Sequence, residues 1–167
     1  ANPELRGSWR FPGAPVIFAA AGTLGAGVNK RVDVLIRAVA DARSRGADAA
    51  LVVCGDGRQR PALDALAAEL GVSGAVRFLG MRSDVADVLA ACDAFCHAAP
   101  FEPFGIVCIE AMAVGLPVLA PASGGIQEAV EDGRTGFLYP ALDHAALVEL
   151  MIRLCGDPET RRNIGRD

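Results

Sequence analysis

Two carboxylates stand either side of a helix start. Glu102 and Glu110 bracket Pro103-Phe104-Gly105-Ile106-Val107-Cys108-Ile109, and Glu110 is the one charged residue between Phe104 and Gln127. The apolar residues around Glu110 leave no obvious polar face, so the pattern predicts a buried helix carrying a single carboxylate. A buried carboxylate without donors is costly, and Glu110 is therefore expected to meet either protein donors or ligand hydroxyls. The turn Pro103-Phe104-Gly105 opens that helix, where free backbone N–H groups and the positive end of the macrodipole form a seat for a phosphate at Phe104, Gly105 and Ile106. Paired carboxylates can serve as the acid and nucleophile of a glycosidase. One carboxylate inside a helix and one before it suit the binding of two parts of an extended ligand better.

The elements that must hold these groups alternate along the chain. Residues 16–21, 49–54, 76–79, 94–99, 117–120 and 136–139 are short, mostly apolar runs that read as strands covered on both faces. Between them lie a helix with Val32, Leu35, Ile36 and Val39 on one face, a helix over residues 58–70, and one through Ala91 capped by Ser83 or Asp84. Asp143 caps a further helix through Cys155, and Pro158 opens a last one. Alternation without an internal repeat implies an α/β fold, a doubly wound, Rossmann-like parallel sheet of about six strands. Ligands of such sheets bind at the carboxyl ends of the strands, which brings Gly22, Lys30, Glu102 and Gly105 to one rim. Residues 1–15 hold Pro3, Gly7, Pro12, Gly13 and Pro15 and read as a linker with no regular element, entering one domain over residues 16–167 of a longer protein.

The loop Gly22-Thr23-Leu24-Gly25-Ala26-Gly27-Val28-Asn29 lacks the third glycine of a dinucleotide fingerprint, and no Gly-Lys-Ser/Thr of a P-loop follows. Lys30 and Arg31 nevertheless stand at a helix N-terminus, where cations are unfavourable for the helix alone, and this points to an anion nearby. His97, in an apolar strand, reads as a hydrogen-bonded core residue rather than a catalytic base.

Composition narrows the partners. The 167 residues are 52% hydrophobic with a net charge of −4, enough apolar material for a sizeable core. Basic runs stop at Lys30-Arg31 and Arg161-Arg162, so no nucleic-acid partner is expected. Five cysteines in apolar surroundings suit reduced core thiols of a cytoplasmic protein. Cys92, Cys96 and His97 lack the spacing of a metal site, so no metal is expected. Gly115-Leu116-Pro117 breaks the apolar run from Phe104 to Gln127 into helix and strand rather than a membrane span. No signal peptide is read, and any peripheral membrane association of the full protein is expected through parts outside this chain.

These motifs resemble the retaining GT-B glycosyltransferases, in particular glycosyltransferase family 4. That family's signature is a Glu, seven residues and a second Glu with Phe-Gly between them, as Glu102-Pro103-Phe104-Gly105 to Glu110-Ala111-Met112-Ala113 reads here. Gly55-Asp56-Gly57, Val76-Arg77-Phe78-Leu79-Gly80, Gly115-Leu116-Pro117-Val118, Gly124-Gly125-Ile126-Gln127-Glu128 and Asp132-Gly133-Arg134-Thr135-Gly136 follow the family's order and spacing. The resemblance spans roughly residues 16–165 and implies the second of two Rossmann-like domains, the one that binds the nucleotide-sugar donor.

On that resemblance Glu110 takes the ribose hydroxyls and the amides of Phe104, Gly105 and Ile106 meet the diphosphate. Glu102 contacts the donor sugar, Lys30 stabilises the departing nucleotide, and Met81 and Arg82 lie against the base. Gly22 and Thr23 form the loop beneath the phosphates. Thr23 stands where the family often has Arg, which makes Arg31 a substitute cation, and Ala98-Ala99 replaces a common Pro-Ser. No cofactor or divalent metal is implied, and the acceptor belongs to an N-terminal domain missing from this chain. The alternative is a non-catalytic nucleotide-sugar-binding Rossmann-like module, which could dispense with Glu102 or Lys30; both are present.

Overall fold

The structure, a computed structural model, describes residues 3–25 and 30–164. The chain runs through α1 (Pro3–Ser8), β1 (Val16–Ala21), α2 (Val32–Ser44), β2 (Ala49–Cys54), α3 (Arg60–Glu69), β3 (Val76–Gly80), α4 (Val85–Ala90) and β4 (Ala94–Cys96). It continues through α5 (Ile106–Ala113), β5 (Val118–Pro121), α6 (Ile126–Ala129), β6 (Gly136–Tyr139), α7 (His144–Gly156) and α8 (Pro158–Asn163). Residues 26–29 of the glycine-rich turn lie outside the described residues.

The strands form one parallel sheet in the order β3-β2-β1-β4-β5-β6, the doubly wound arrangement expected from the alternation. Successive strand residues point to opposite faces. Phe18, Ala20, Leu51, Val53 and Leu119 join a core with Leu35, Ile36, Val39 and Leu63 from α2 and α3, and with Leu147 and Met151 from α7. Ile17, Ala19, Val52, Phe95 and Val118 face the other way, onto Val88, Cys108 and Ile126 from α4, α5 and α6. The winding direction reverses between β1 and β4, and a crevice at that switch point is where such sheets hold ligands.

Three local expectations change. The segment before Val16 contains α1 and is tied down: Trp9 is buried, Arg6 donates to Asp93 at 2.8 Å and to the Ala91 carbonyl at 3.0 Å, and Arg77 donates to the Trp9 carbonyl at 2.9 Å. Pro3, at the first turn of α1, is tolerated because its missing N–H would have had no intrahelical partner. Residues 97–99, expected as strand, lie beyond β4, which ends at Cys96 as the chain turns toward the site. Asp84 precedes α4 but makes no capping bond, because its carboxylate is held by both ends of the Arg82 guanidinium at 2.7 and 2.5 Å. Asp143 does cap α7, accepting from Ala146 N at 2.9 Å.

The five thiols are free, four of them buried. Burial pushes Cys54 and Cys155 up to about 11 and Cys108 to about 12, so they pack as small apolar groups and are not nucleophiles.

Candidate functional site

Two hollows meet at the start of α5, with Val107 lining both. The first, about 200 Å³, lies over the carboxyl ends of β1 and β2 and is lined by Gly22, Thr23, Gly55, Met81, Arg82 and Glu110 among others. The second, about 210 Å³, is lined by Lys30, His97, Glu102, Phe104, Gly105 and Ile106 with Val107 and Cys108. Larger hollows exist on the outer faces, one of about 430 Å³ between α2 and α3. The pair at α5 combines the strand ends with facing charges, so position rather than size marks the site.

Glu110 overturns the expectation of a buried carboxylate. It is exposed on α5, and among the described residues no hydrogen bond or ion pair engages it. The helix buries only Cys108 and Ala111, while Ile106 is 64% and Ile109 49% exposed. A side chain that makes no bond inside the chain and faces a hollow is available to a ligand at no cost in internal contacts. The absence of a polar face thus reflects an open apolar surface, with Phe104, Phe101 and Met81 exposed on the same rim.

Glu102 is the most connected group. Its Oε2 accepts from Lys30 Nζ at 2.7 Å and its Oε1 from the Gly105 amide at 3.4 Å. Burial opposes its ionisation, but Lys30, the Gly105 amide and His97 outweigh that and hold the carboxyl below its ordinary range. The Lys30 stem lies across Gly22, whose hydrogen leaves room for it. Gly124 comes so close that an added Cβ would stand 2.3 Å from the Glu102 carbonyl, and Gly125 N donates to that carbonyl at 3.1 Å. The two glycines therefore seat the chain's own backbone beneath Glu102.

The anion expected beside Lys30 and Arg31 is supplied from within. Lys30 pairs with Glu102, and Arg31, left-handed at φ 50°, pairs with Asp33 at 3.0 Å. Arg31 lines neither hollow, so the structure does not bring it to the site as a substitute for the cation absent at Thr23.

His97 was expected to be a satisfied core histidine. It is 3% exposed, but among the described residues its Nε2 finds no hydrogen-bond partner. Burial and the neighbouring Lys30 lower it to about 4, while Glu102 pulls the other way. Because the unfolded ring takes a proton near pH 6.5 and the folded ring refuses it, stability present at pH 7 falls as pH drops from about 6.5 toward 4. The total loss is about 3 kcal/mol. Urea melts between about pH 7 and pH 4.5 should show that decline, and H97Q should flatten it; parallel curves would count against it.

Among the described residues no group of three or more His, Cys, Asp or Glu side chains is placed to hold a metal ion. Nor is any described helix long and apolar enough to cross a membrane.

The family model "Glycosyl transferases group 1" matches residues 2–167. The chain belongs to the group 1 glycosyltransferases. This group 1 domain is 41% identical over 145 residues to the D-inositol 3-phosphate glycosyltransferase of Nocardia farcinica, covering 81% of this chain and 32% of that protein. It is 35% identical over 136 residues to the N-acetyl-alpha-D-glucosaminyl L-malate synthase of Bacillus anthracis, covering 81% of this chain and 35% of that protein. It thus spans about a third of the length of these curated relatives. Among solved structures, Anabaena HepE in complex with UDP and glucose superposes with a TM-score of 0.82 at 29% identity, over 90% of this chain and 41% of that one. The C-terminal domain of the Francisella tularensis glycosyl transferase LpcC shares the fold at a TM-score of 0.83 and 20% identity, over 99% of this chain and 88% of that one. The fold is that of the second half of a GT-B enzyme.

Proposed function

We propose that this chain is the donor-binding domain of a retaining, metal-independent glycosyltransferase that takes its sugar from a nucleotide-diphospho-sugar. The observation that carries the reading is the pair of hollows either side of Val107, one holding an unengaged carboxylate, Glu110, and the other a paired cation and carboxylate, Lys30 and Glu102. An extended donor fits this layout. Glu110 takes the ribose hydroxyls with Met81 and Arg82 against the base, in the hollow floored by Gly22 and Thr23. The diphosphate lies on the Gly105 and Ile106 amides with Phe104 at their edge, and Glu102 reaches the sugar.

Breaking the bond between sugar and phosphate develops negative charge on the leaving diphosphate. A fixed ammonium at Lys30 and the positive end of α5 stabilise that charge, which is the largest contribution such a site makes. No step in this scheme calls on a metal or cofactor. The exposed apolar rim of Phe101, Phe104, Ile106 and Ile109 supports an N-terminal acceptor domain that closes over it, and the five free thiols suit a protein acting in the cytoplasm. A non-catalytic sensor could dispense with Glu102 or Lys30, and the presence of both as a pair favours an enzyme.

Calorimetric titration of the chain with UDP, GDP and ADP and their sugars tests the reading, UDP being first because the Anabaena HepE structures contain UDP and UDP-glucose. One base is expected to bind, and no sugar transfer is expected without the acceptor domain. Heat from nicotinamide dinucleotides alone would move the assignment to a dehydrogenase, and rapid transfer by the isolated chain would overturn the division of labour between domains.

A further inference from the structure

We infer that His97 is a positioning residue for Glu102: its Nε2–H takes up the Glu102 carboxylate when Lys30 releases it. The inference rests on the donor reading above and adds a residue to it. In the structure Glu102 behaves as a built-in anion, with one oxygen on the Lys30 ammonium and the other on the Gly105 amide. Those are the same two groups to which a diphosphate would bind. An incoming diphosphate therefore competes with Glu102, and a carboxylate displaced from both donors needs a new partner inside a partly buried hollow.

One donor stands ready. His97 Nε2 is 3.6 Å from Glu102 Oε2, in the same hollow, and has no other partner among the described residues. Buried polar atoms are rarely left so, and a shift of less than about 1 Å would close this gap to hydrogen-bond length. The ring can wait there because its backbone is fixed on both sides. His97 N donates to the Leu119 carbonyl at 2.8 Å, and the His97 carbonyl accepts from Tyr139 Oη at 2.7 Å. The ring stays neutral, since burial and Lys30 lower it to about 4, so facing a carboxylate requires the tautomer with the proton on Nε2. Held by this bond, Glu102 keeps one oxygen turned to the sugar while Lys30 serves the phosphates.

Two measurements on the 167-residue chain test this, and the first needs no donor. His97 and His144 are the two histidines, and His144 lies 2.7 Å from Asp41, so nitrogen-15 NMR of labelled chain has an internal control. His97 is expected as the Nε2–H tautomer. In K30M, which removes the competing ammonium, its Nε2 proton should move downfield and its pKa should rise. An Nδ1–H tautomer, or a His97 signal indifferent to K30M, overturns the proposal.

The second measurement is binding of UDP and UDP-glucose to H97L and H97Q. H97L should lose about tenfold affinity for UDP and for UDP-glucose alike, because the diphosphate of either displaces Glu102, and H97Q, which keeps a donor, should recover most of it. Affinity of H97L within about twofold of the parent for both ligands, or a loss that H97Q does not recover, also overturns the proposal. If the unaltered chain bound neither ligand, the donor reading would fall, and the tautomer experiment alone would decide whether His97 holds Glu102. H97Q and K30M keep both arms open should H97L fail to fold.

Discussion

Glu110→Ala is expected to weaken nucleotide binding by about 30- to 100-fold while leaving the melting temperature where it was. The first half follows from chemistry. A carboxylate that accepts hydrogen bonds from two ribose hydroxyls contributes about 2 to 2.7 kcal/mol, which is that range of affinity. The second half follows from the structure, because Glu110 is exposed and no bond among the described residues is lost with it. Exposed residues without such partners change stability by less than about 0.5 kcal/mol when replaced. Titration calorimetry and thermal unfolding of the same variant separate the two effects. A large drop in melting temperature with affinity intact would mean that Glu110 serves the fold, and the assignment of the first hollow to the nucleoside would go with it.

Gly55→Ala is expected to lower the stability of the chain by at least about 3 kcal/mol, measured as a fall in the urea midpoint at unchanged slope. Gly55 has φ of 146°, which a side chain rarely tolerates, and its added Cβ would stand 1.9 Å from the Gly22 carbonyl oxygen. Neither neighbour can yield easily. Gly22 N donates to the Cys54 carbonyl at 2.9 Å and Gly55 N to the Gly80 carbonyl at 2.8 Å, so the carboxyl ends of β1, β2 and β3 are laced together at this point. The same residues floor the first hollow, and nucleotide affinity should fall along with stability. A midpoint within about 0.5 kcal/mol of the parent would show that the loops relax around the methyl, and that the crossing is looser than its distances indicate.

Much of this was legible in the residues, and the exceptions share a cause. Val16–Ala21, Ala49–Cys54 and Gly136–Tyr139 are strands over the spans their apolar runs predict, because a strand covered on both faces writes its length directly into local hydrophobicity. Asp143 announced its cap, since N-capping involves residues three apart. Asp84 did not behave the same way: its two oxygens lie on the Arg82 guanidinium and make no capping bond. Arg31 likewise pairs with Asp33, two residues on, a contact its place at a helix start did not announce. Glu110 was placed in a buried helix because an all-apolar neighbourhood looks the same whether the chain covers it or leaves it bare.

By itself the amino-acid sequence determined most of the element types after Val16, the parallel doubly wound architecture, the family and which side chains to look for around α5. The elements and the architecture depend on periodicity and short spacings, and the family on the resemblance of its motifs. What only the tertiary structure decided is how those groups meet: Lys30 against Glu102 across 72 positions, His97 Nε2 beside them without a hydrogen-bond partner among the described residues, and Glu110 open to a hollow instead of shut in a core. The physical reason is the strand order, which sets β1 next to β4 and so lays the loop after one against the loop after the other. No local pattern encodes a distance between segments that touch only after the sheet has formed.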